Sequence, residues 1–290
     1  MTPSTARLRS REDTLMATAL RPVDPLPCVE RRTKLSLQSV SRDFVAARGR
    51  LVALRDISID VREGEFVCIV GPSGCGKSTL LNLIAGLDHP TSGTILLGGR
   101  PVDGPGPDRI LLFQEHGLFP WLTVLENVEF GLRMTGVRRG ERLDRARHYL
   151  QRVHLARFEN SYVHQLSGGM KQRVALARSL VMEPSLLLMD EPFAALDAQT
   201  RDMLHDELER IWAETGKTIV FITHNVREAV RLGDRVIVMT FRPGRIKREF
   251  QITLPRPRQI EEPDVAHAAG EVLALLREEI EKSRNEEMLR

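Results

Sequence analysis

The chain has 290 residues, 42% hydrophobic and 28% charged, a balance that buries a sizeable core and excludes a collagen-like, disulfide-scaffold or wholly disordered chain. Lys and Arg number 42 against 39 Asp and Glu, so the net charge of +3 gives no argument for a nucleic-acid partner. Cys28, Cys68 and Cys75 form an odd set without metal-type spacing, which points to a reducing compartment, and no apolar run reaches the roughly 18 residues of a membrane span. The chain reads as cytosolic, with any membrane role exercised through a partner.

Residues 1–33 are rich in Arg, Pro, Ser and Thr and show no period, so they read as a flexible extension without an assigned role. Arg7, Arg9, Arg11 and Arg21 resemble a transit peptide only superficially, because Glu12, Asp13 and Asp24 interrupt them and no apolar segment follows. From Lys34 the pattern changes. Leu35, Leu37 and Val40 predict a short strand, and Ile57, Ile59 and Val61 predict another with period two. Glu65 to Val70 is a compact apolar run that predicts a buried strand, and Leu80, Leu81, Ile84 and Leu87 follow at helical spacing.

Further strands are predicted at Ile110 to Phe113, Ser185 to Met189, Thr218 to Ile222 and Val236 to Met239, separated by helical patterns such as Met203, Leu204, Leu208 and Ile211. Apolar strands alternating with helices predict an α/β fold whose parallel sheet is covered on both faces. Between Gln114 and Val163 the periodicity is mostly helical and predicts a helical insertion. The end of the chain, from Glu271, predicts a charged amphipathic helix.

Three segments carry chemistry. Gly71, Pro72, Ser73, Gly74, Cys75, Gly76, Lys77, Ser78 and Thr79 fit the phosphate-loop pattern between a strand and a helix. Glycines let the backbone turn tightly and aim several N–H groups at one anion, and the following helix adds its positive end. Lys77 supplies a point charge to the β- and γ-phosphates, and the Ser78 hydroxyl suits Mg²⁺. Asp190 ends an apolar strand, where its carboxylate reaches a metal beside such a loop, and Glu191 is placed to orient or deprotonate an attacking water. Ser167, Gly168 and Gly169 open another helix, a second anion-binding start for which one triphosphate in one subunit has no obvious need.

With these segments the chain strongly resembles, over about residues 35–255, the ATP-binding subunits of ATP-binding cassette (ABC) transporters. The matches run in order: Gly71 to Thr79 (Walker A), Phe113-Gln114 (Q-loop), Leu166 to Met170 (the LSGGQ-like segment, with Met170 where glutamine is commoner), Leu187 to Glu191 (Walker B), Ala195 to Asp197 (D-loop) and Thr223-His224 (H-loop). The resemblance implies a P-loop NTPase (ABC ATPase) core over 34–255, with a parallel sheet, an antiparallel β subdomain and a helical subdomain at about 115–165. A C-terminal helical tail would follow over 256–290. It implies ATP and Mg²⁺ as ligands and a head-to-tail dimer in which Ser167, Gly168 and Gly169 of one copy face the γ-phosphate held by Lys77 of the other. It further assigns Phe44 to adenine, Gln114 to Mg²⁺ and the water, His224 to the γ-phosphate and Glu191, and Asp197 to the dimer interface. Cys75, inside the phosphate loop, is expected to be open to alkylation, with ATP protecting it.

Leu118-Phe119-Pro120-Trp121 after the glutamine, and Pro255-Arg256-Pro257-Arg258 after the last strand, are similar to the importer group for nitrate, sulfonates and taurine. Phe119 and Trp121 are expected to form an apolar surface for a helix of a membrane subunit, the alternative being that both rings pack inside the helical insertion. The resemblance implies an ATPase at the cytoplasmic face of the plasma membrane, acting with permease subunits and, indirectly, a solute-binding protein, and with no nucleic acid. A soluble ABC ATPase acting on nucleic acid or ribosomes is the rival; such proteins often carry tandem cassettes or long coiled-coil arms, and neither is visible. A kinase or GTPase on the same loop leaves Leu166 to Met170 unexplained.

Overall fold

Every residue of Phe66–Val70 is buried, as a five-residue apolar run between a turn and a glycine should be when strands flank it on both edges. That strand is the middle of the larger of two sheets in this computed structural model, which describes residues 20–22, 32–46 and 49–288. In chain order the strands are β1 (Leu20–Pro22), β2 (Thr33–Ala46), β3 (Gly49–Arg62), β4 (Phe66–Val70), β5 (Ser92–Leu97), β6 (Arg100–Pro101), β7 (Arg109–Leu112), β8 (Leu186–Asp190), β9 (Thr218–Ile222), β10 (Arg235–Met239) and β11 (Ile246–Ile252). The helices are α1 (Lys77–Ala85), α2 (Val124–Met134), α3 (Arg139–Arg152), α4 (Gly168–Leu180), α5 (Ala198–Thr215), α6 (Val226–Leu232) and α7 (Pro263–Met288).

The large sheet has the order β1-β11-β10-β4-β9-β8-β7. Strands β10, β4, β9, β8 and β7 are parallel, while β11 and β1 add antiparallel to one edge. A second sheet, β3-β2-β5-β6, is wholly antiparallel. The expected parallel sheet, antiparallel unit and helical insertion are therefore all present. Helix α1 fills the space between the two sheets: Leu80, Leu81, Leu83 and Ile84 pack with Leu35, Leu37, Ile57 and Ile59 and with Leu186 and Leu188. The other face of the large sheet is covered by a separate cluster that includes Val174, Leu176, Leu204, Leu208, Ala229 and Val230.

Four strands were not predicted: β1 and β6, of three and two residues, and the longer β5 and β11. In β5 only Ile95 and Leu97 are buried, and in β11 only Phe250 and Ile252, so neither run is apolar enough to stand out. The tail begins eight residues before the predicted Glu271. Its Val265, Ala268, Ala269, Val272 and Leu276 lie in the main core cluster, so α7 is part of the domain's packing. Arg258, 2% exposed, anchors the approach by donating to the carbonyls of Val230, Gly233 and Leu254. Of the flexible extension expected at 1–33, the described residues are Arg32, Thr33 and Leu20–Pro22, which pair with β11; the rest lies outside the described residues. Among the described residues, no helix is long and apolar enough to cross a membrane.

Candidate functional site

At the carboxyl ends of β4 and β8, where open α/β sheets hold their ligands, lies a cavity of about 440 Å³. Phe44, Ser73, Gly74, Gly76, Lys77, Ser78, Thr79, Gln114, Asp190 and Glu191 line it, joined by Leu51, Ala53 and Arg242. The first ten come from four segments far apart in the sequence, and the topology brings them to one place. The strand β4 delivers the phosphate loop, β8 delivers Asp190 and Glu191, and β2 reaches over from the antiparallel sheet with Phe44, whose ring lies 4.7 Å from the Arg42 guanidinium carbon.

The loop's shape depends on glycine at two points. Gly74 (φ +71°) and Gly76 (φ +100°) are left-handed, and a Cβ on Gly76 would lie 2.7 Å from Leu54 Cδ2 and 3.0 Å from the Ala53 carbonyl. Gly76 turns the chain into α1, whose first residue is Lys77. The Lys77 ammonium is almost buried and donates to the carbonyls of Gly71 (2.9 Å) and Pro72 (3.0 Å). The Cys75 sulfur lies 4.0 Å away, and a desolvated ammonium held by neutral partners is poised to take an anionic one. Gly71 and Pro72 thus support Lys77 from behind and do not line the cavity.

Cys75 does not line it either. Its side chain is fully buried, and burial pushes the thiol above its usual range, although Lys77 acts in the opposite direction. The expectation that it is open to alkylation is corrected: the sulfur packs inward, where a Cβ on Gly71 would lie only 2.7 Å from it.

Asp190 receives the Ser78 hydroxyl, and burial raises its carboxyl above the ordinary value in spite of that bond. Ser78 and Asp190 offer hard oxygen donors beside a phosphate cradle, the donor type that suits Mg²⁺. Glu191 has φ +44°, a strained backbone for a residue with a side chain, held by its N–H to the Ile222 carbonyl at 3.0 Å. Its carboxylate lies 2.8 Å from His224 Nδ1, so the two predicted residues meet.

Ser167, Gly168 and Gly169 stand apart from this cavity. Ser167 caps α4 by accepting the Met170 N–H at 3.3 Å, and Ser167 and Gly168 are exposed. Asp197 caps α5, where the Thr200 N–H holds its exposed carboxyl below the ordinary value.

Sequence reasoning missed two groups near the site. His116 hydrogen-bonds the Gly168 backbone, and burial lowers its pKa. Arg178 of α4 donates to the carbonyls of Gly117 (2.7 Å) and His116 (2.9 Å), tying the segment after Gln114 to the helix that Ser167 caps. Behind His224, the Thr223 hydroxyl donates to Glu228, whose other oxygen lies 2.5 Å from Nε2 of the buried His205. Arg231 can only donate to His205 Nδ1 (3.4 Å), so Nε2 carries the proton that Glu228 accepts. Apart from Thr223, matched beside His224 in the H-loop, nothing local in the sequence marks these groups, because the partners lie on different elements.

Trp121 is 71% exposed. Its ring leans on Phe119 at 5.6 Å, and the buried Asn127 side chain fixes the loop by donating to the carbonyls of Phe119, Leu122 and Thr123. The alternative in which both rings pack inside the insertion is excluded for Trp121.

A family model described as "ABC transporter" matches residues 54–194. The chain is 49% identical over 252 residues to an uncharacterised ABC transporter ATP-binding protein of Methanocaldococcus jannaschii, covering 87% of this chain and 94% of that one. It is 50% identical to the nitrate import ATP-binding protein NrtD of Synechocystis, covering 84% and 95%. A taurine import ATP-binding protein, TauB of Burkholderia pseudomallei, is also 50% identical, covering 77% and 86%. Among solved structures, the ATP-binding cassette MJ0796, a dimer in a post-hydrolysis state bound to ADP and Pi, aligns with a TM-score of 0.67 and 36% identity over 78% of this chain and 99% of that one. The chain belongs to the ATP-binding protein family of ABC transporters.

Proposed function

We propose that this chain is the ATP-hydrolysing subunit of a membrane importer for a small anionic or organic solute such as nitrate, a sulfonate or taurine. The relatives named for nitrate and taurine import support the solute class. The observation that carries the chemistry is the convergence of Lys77, Asp190, Glu191 and Gln114 on one cavity, with His224 bonded to Glu191.

In this reading Phe44 stacks on the adenine and the loop Gly71 to Thr79 wraps the phosphates, its glycine-rich backbone and the α1 N-terminus aimed at the anion. Lys77 exchanges its carbonyl partners for β- and γ-phosphate oxygens. Ser78, Asp190 and Gln114 would hold Mg²⁺, which when bound draws charge from the phosphate oxygens. Glu191 orients the water and accepts its proton, and His224 keeps that carboxylate in place and contacts the γ-phosphate.

Ser167, Gly168 and Gly169 complete the site of a second copy, with Asp197 at the interface between them. The exposure of Ser167 and Gly168 away from their own cavity supports this, as does the dimeric state of MJ0796. ATP closes the pair, closure moves permease subunits docked at Trp121, and hydrolysis reopens it. The chain then sits at the cytoplasmic face of the plasma membrane and meets the solute-binding protein only through the permease.

The test is reconstitution in vesicles with a permease that co-purifies with the chain. ATP-dependent accumulation of nitrate or taurine that is lost in Lys77→Ala supports the reading; steady ATP hydrolysis with no membrane subunit bound and no transport refutes it.

A further inference from the structure

Lys77 is one of two cations among the described residues that line the cavity; the other is Arg242, which the scheme above does not use. Arg242 sits on the loop 240–245 between β10 and β11. That loop is closed on itself: the Thr240 N–H donates to the Arg245 carbonyl at 2.9 Å, and the Thr240 hydroxyl donates to the Pro243 carbonyl at 2.9 Å. The Gly244 N–H then donates to the Ala53 carbonyl at 2.9 Å, fixing the loop to β3.

The loop is pressed onto the phosphate loop at two points. Arg242 Nε donates to the Gly74 carbonyl at 2.9 Å. Gly244 packs so close to the Cys75 carbonyl, Met239 and Leu54 that a Cβ there would meet Met239 Cε at 3.0 Å and Leu54 Cδ2 at 3.1 Å. Arg242 Nη2 lies 2.8 Å from where a Cβ on Gly74 would stand, so the guanidinium hugs the phosphate loop's rim. With Nε engaged, the two Nη groups have no partner among the described residues. A planar guanidinium with its Nη donors open beside a phosphate cradle matches a bidentate phosphate contact.

The loop is also braced from behind. The Phe241 N–H donates to Glu279 Oε2 at 2.9 Å, and Glu279, on α7, is 1% exposed. Glu279 Oε1 takes the ammonium groups of Lys247 (2.9 Å) and Lys282 (2.7 Å). Burial acts to raise this carboxyl, but the bonds from Lys282, Lys247 and Phe241 prevail and hold it below its ordinary value. A buried carboxylate with three donors fixes the residue next to Arg242 to the C-terminal helix.

We propose that Arg242 binds the phosphate chain of the nucleotide alongside Lys77, and that Glu279 of α7 positions it. The inference rests on the nucleotide-site reading above and adds a residue outside its motifs. It gives the C-terminal helix a part in nucleotide affinity.

The experiment measures the affinity of the full chain for ADP, which it does not hydrolyse, by calorimetry at two salt concentrations. Arg242→Gln should bind about tenfold more weakly, with a shallower dependence on salt, while Arg242→Lys, which keeps the charge but not the fork, should lose less and keep the parent's salt slope. Glu279→Gln should weaken ADP by about threefold, and adding it to Arg242→Gln should cost nothing more, because both act through one guanidinium. Lys77→Ala is the control: undiminished ADP binding in that variant overturns the site reading itself. If Lys77→Ala loses ADP while Arg242→Gln binds like the parent with an unchanged salt slope, the role of Arg242 is overturned. Additive losses in the double variant overturn the role of Glu279. Should Arg242→Gln melt early, Arg242→Lys decides: parent-like affinity with normal melting refutes the bidentate contact, and a shallower salt slope there refutes the charge contact.

Discussion

Glu191 Oε2 and His224 Nδ1 stand 2.8 Å apart across the ends of β8 and β9, and the Glu191 backbone is left-handed there. A side chain held at positive φ is over-determined by its surroundings, which keeps the carboxylate aimed at the cavity mouth and does not let it swing to solvent. Replacing the carboxylate by its amide preserves shape and the acceptor for His224 but removes the proton acceptor. Glu191→Gln should therefore bind ATP as the parent does and turn it over about a thousandfold more slowly, the scale of general-base catalysis. Single-turnover kinetics with labelled ATP measures both quantities, and unchanged turnover would remove Glu191 from the chemistry.

Cys75 gives a prediction in the direction opposite to its place in the motif. Its thiol is buried and its pKa is raised from 9.0, chiefly by that burial. Below pH 9 the thiolate is scarcer than in a free cysteine, and access adds a second barrier. Maleimide labelling of native Cys75 at pH 7 should lag at least tenfold behind the unfolded chain, and should go on accelerating with pH beyond the point where the unfolded chain's cysteine levels off. Peptide mapping after timed quenching reads this directly; fast native labelling at pH 7 would place the sulfur at the surface.

Trp121 should behave as a docking residue. At 71% exposure its removal leaves the fold's interior unchanged, so Trp121→Ala should shift stability by less than about 0.5 kcal/mol. Nucleotide affinity should persist, while co-purification with the permease falls. A large drop in melting temperature without the permease would show instead that the ring serves the fold.

How much of this was legible beforehand differs by residue. Lys77, Asp190 and Glu191 sit in short contiguous patterns because a phosphate loop and a strand end each need neighbours in sequence, and those patterns can be read directly. The strands β4 and β9 can be read as well: they are buried throughout and apolar except for Thr218, because both faces are covered. The strand β11 hides because Lys247, Arg248 and Glu249 in succession break any apolar alternation, leaving only Phe250 and Ile252 to report burial. Arg242 and Glu279 are invisible as a pair, since 36 intervening positions separate two charged residues that read as solvated until α7 folds back over β10. Glu228 and His205 are hidden likewise, each an ordinary polar residue until helices α5 and α6 bury them together.

Gly168 separates the dimer account from a single-chain one. It is exposed at the first position of α4, and a Cβ added there meets nothing within 4 Å. Within one chain Gly168→Asp is therefore harmless, and an acidic residue in the first turn favours the helix by about 0.3–1 kcal/mol. Across a dimer the same carboxylate stands where a γ-phosphate must approach, and like charges in a closing, desolvating interface repel strongly. Gly168→Asp should keep the parent's melting temperature and its affinity for ADP, yet lose ATP-driven dimerisation and about a hundredfold or more of its ATPase rate. Sedimentation velocity of the Glu191→Gln chain with and without Gly168→Asp, in saturating ATP, reads the dimer without interference from turnover. A Gly168→Asp chain that still pairs and hydrolyses normally would mean that the two anion-binding helix starts never face one triphosphate.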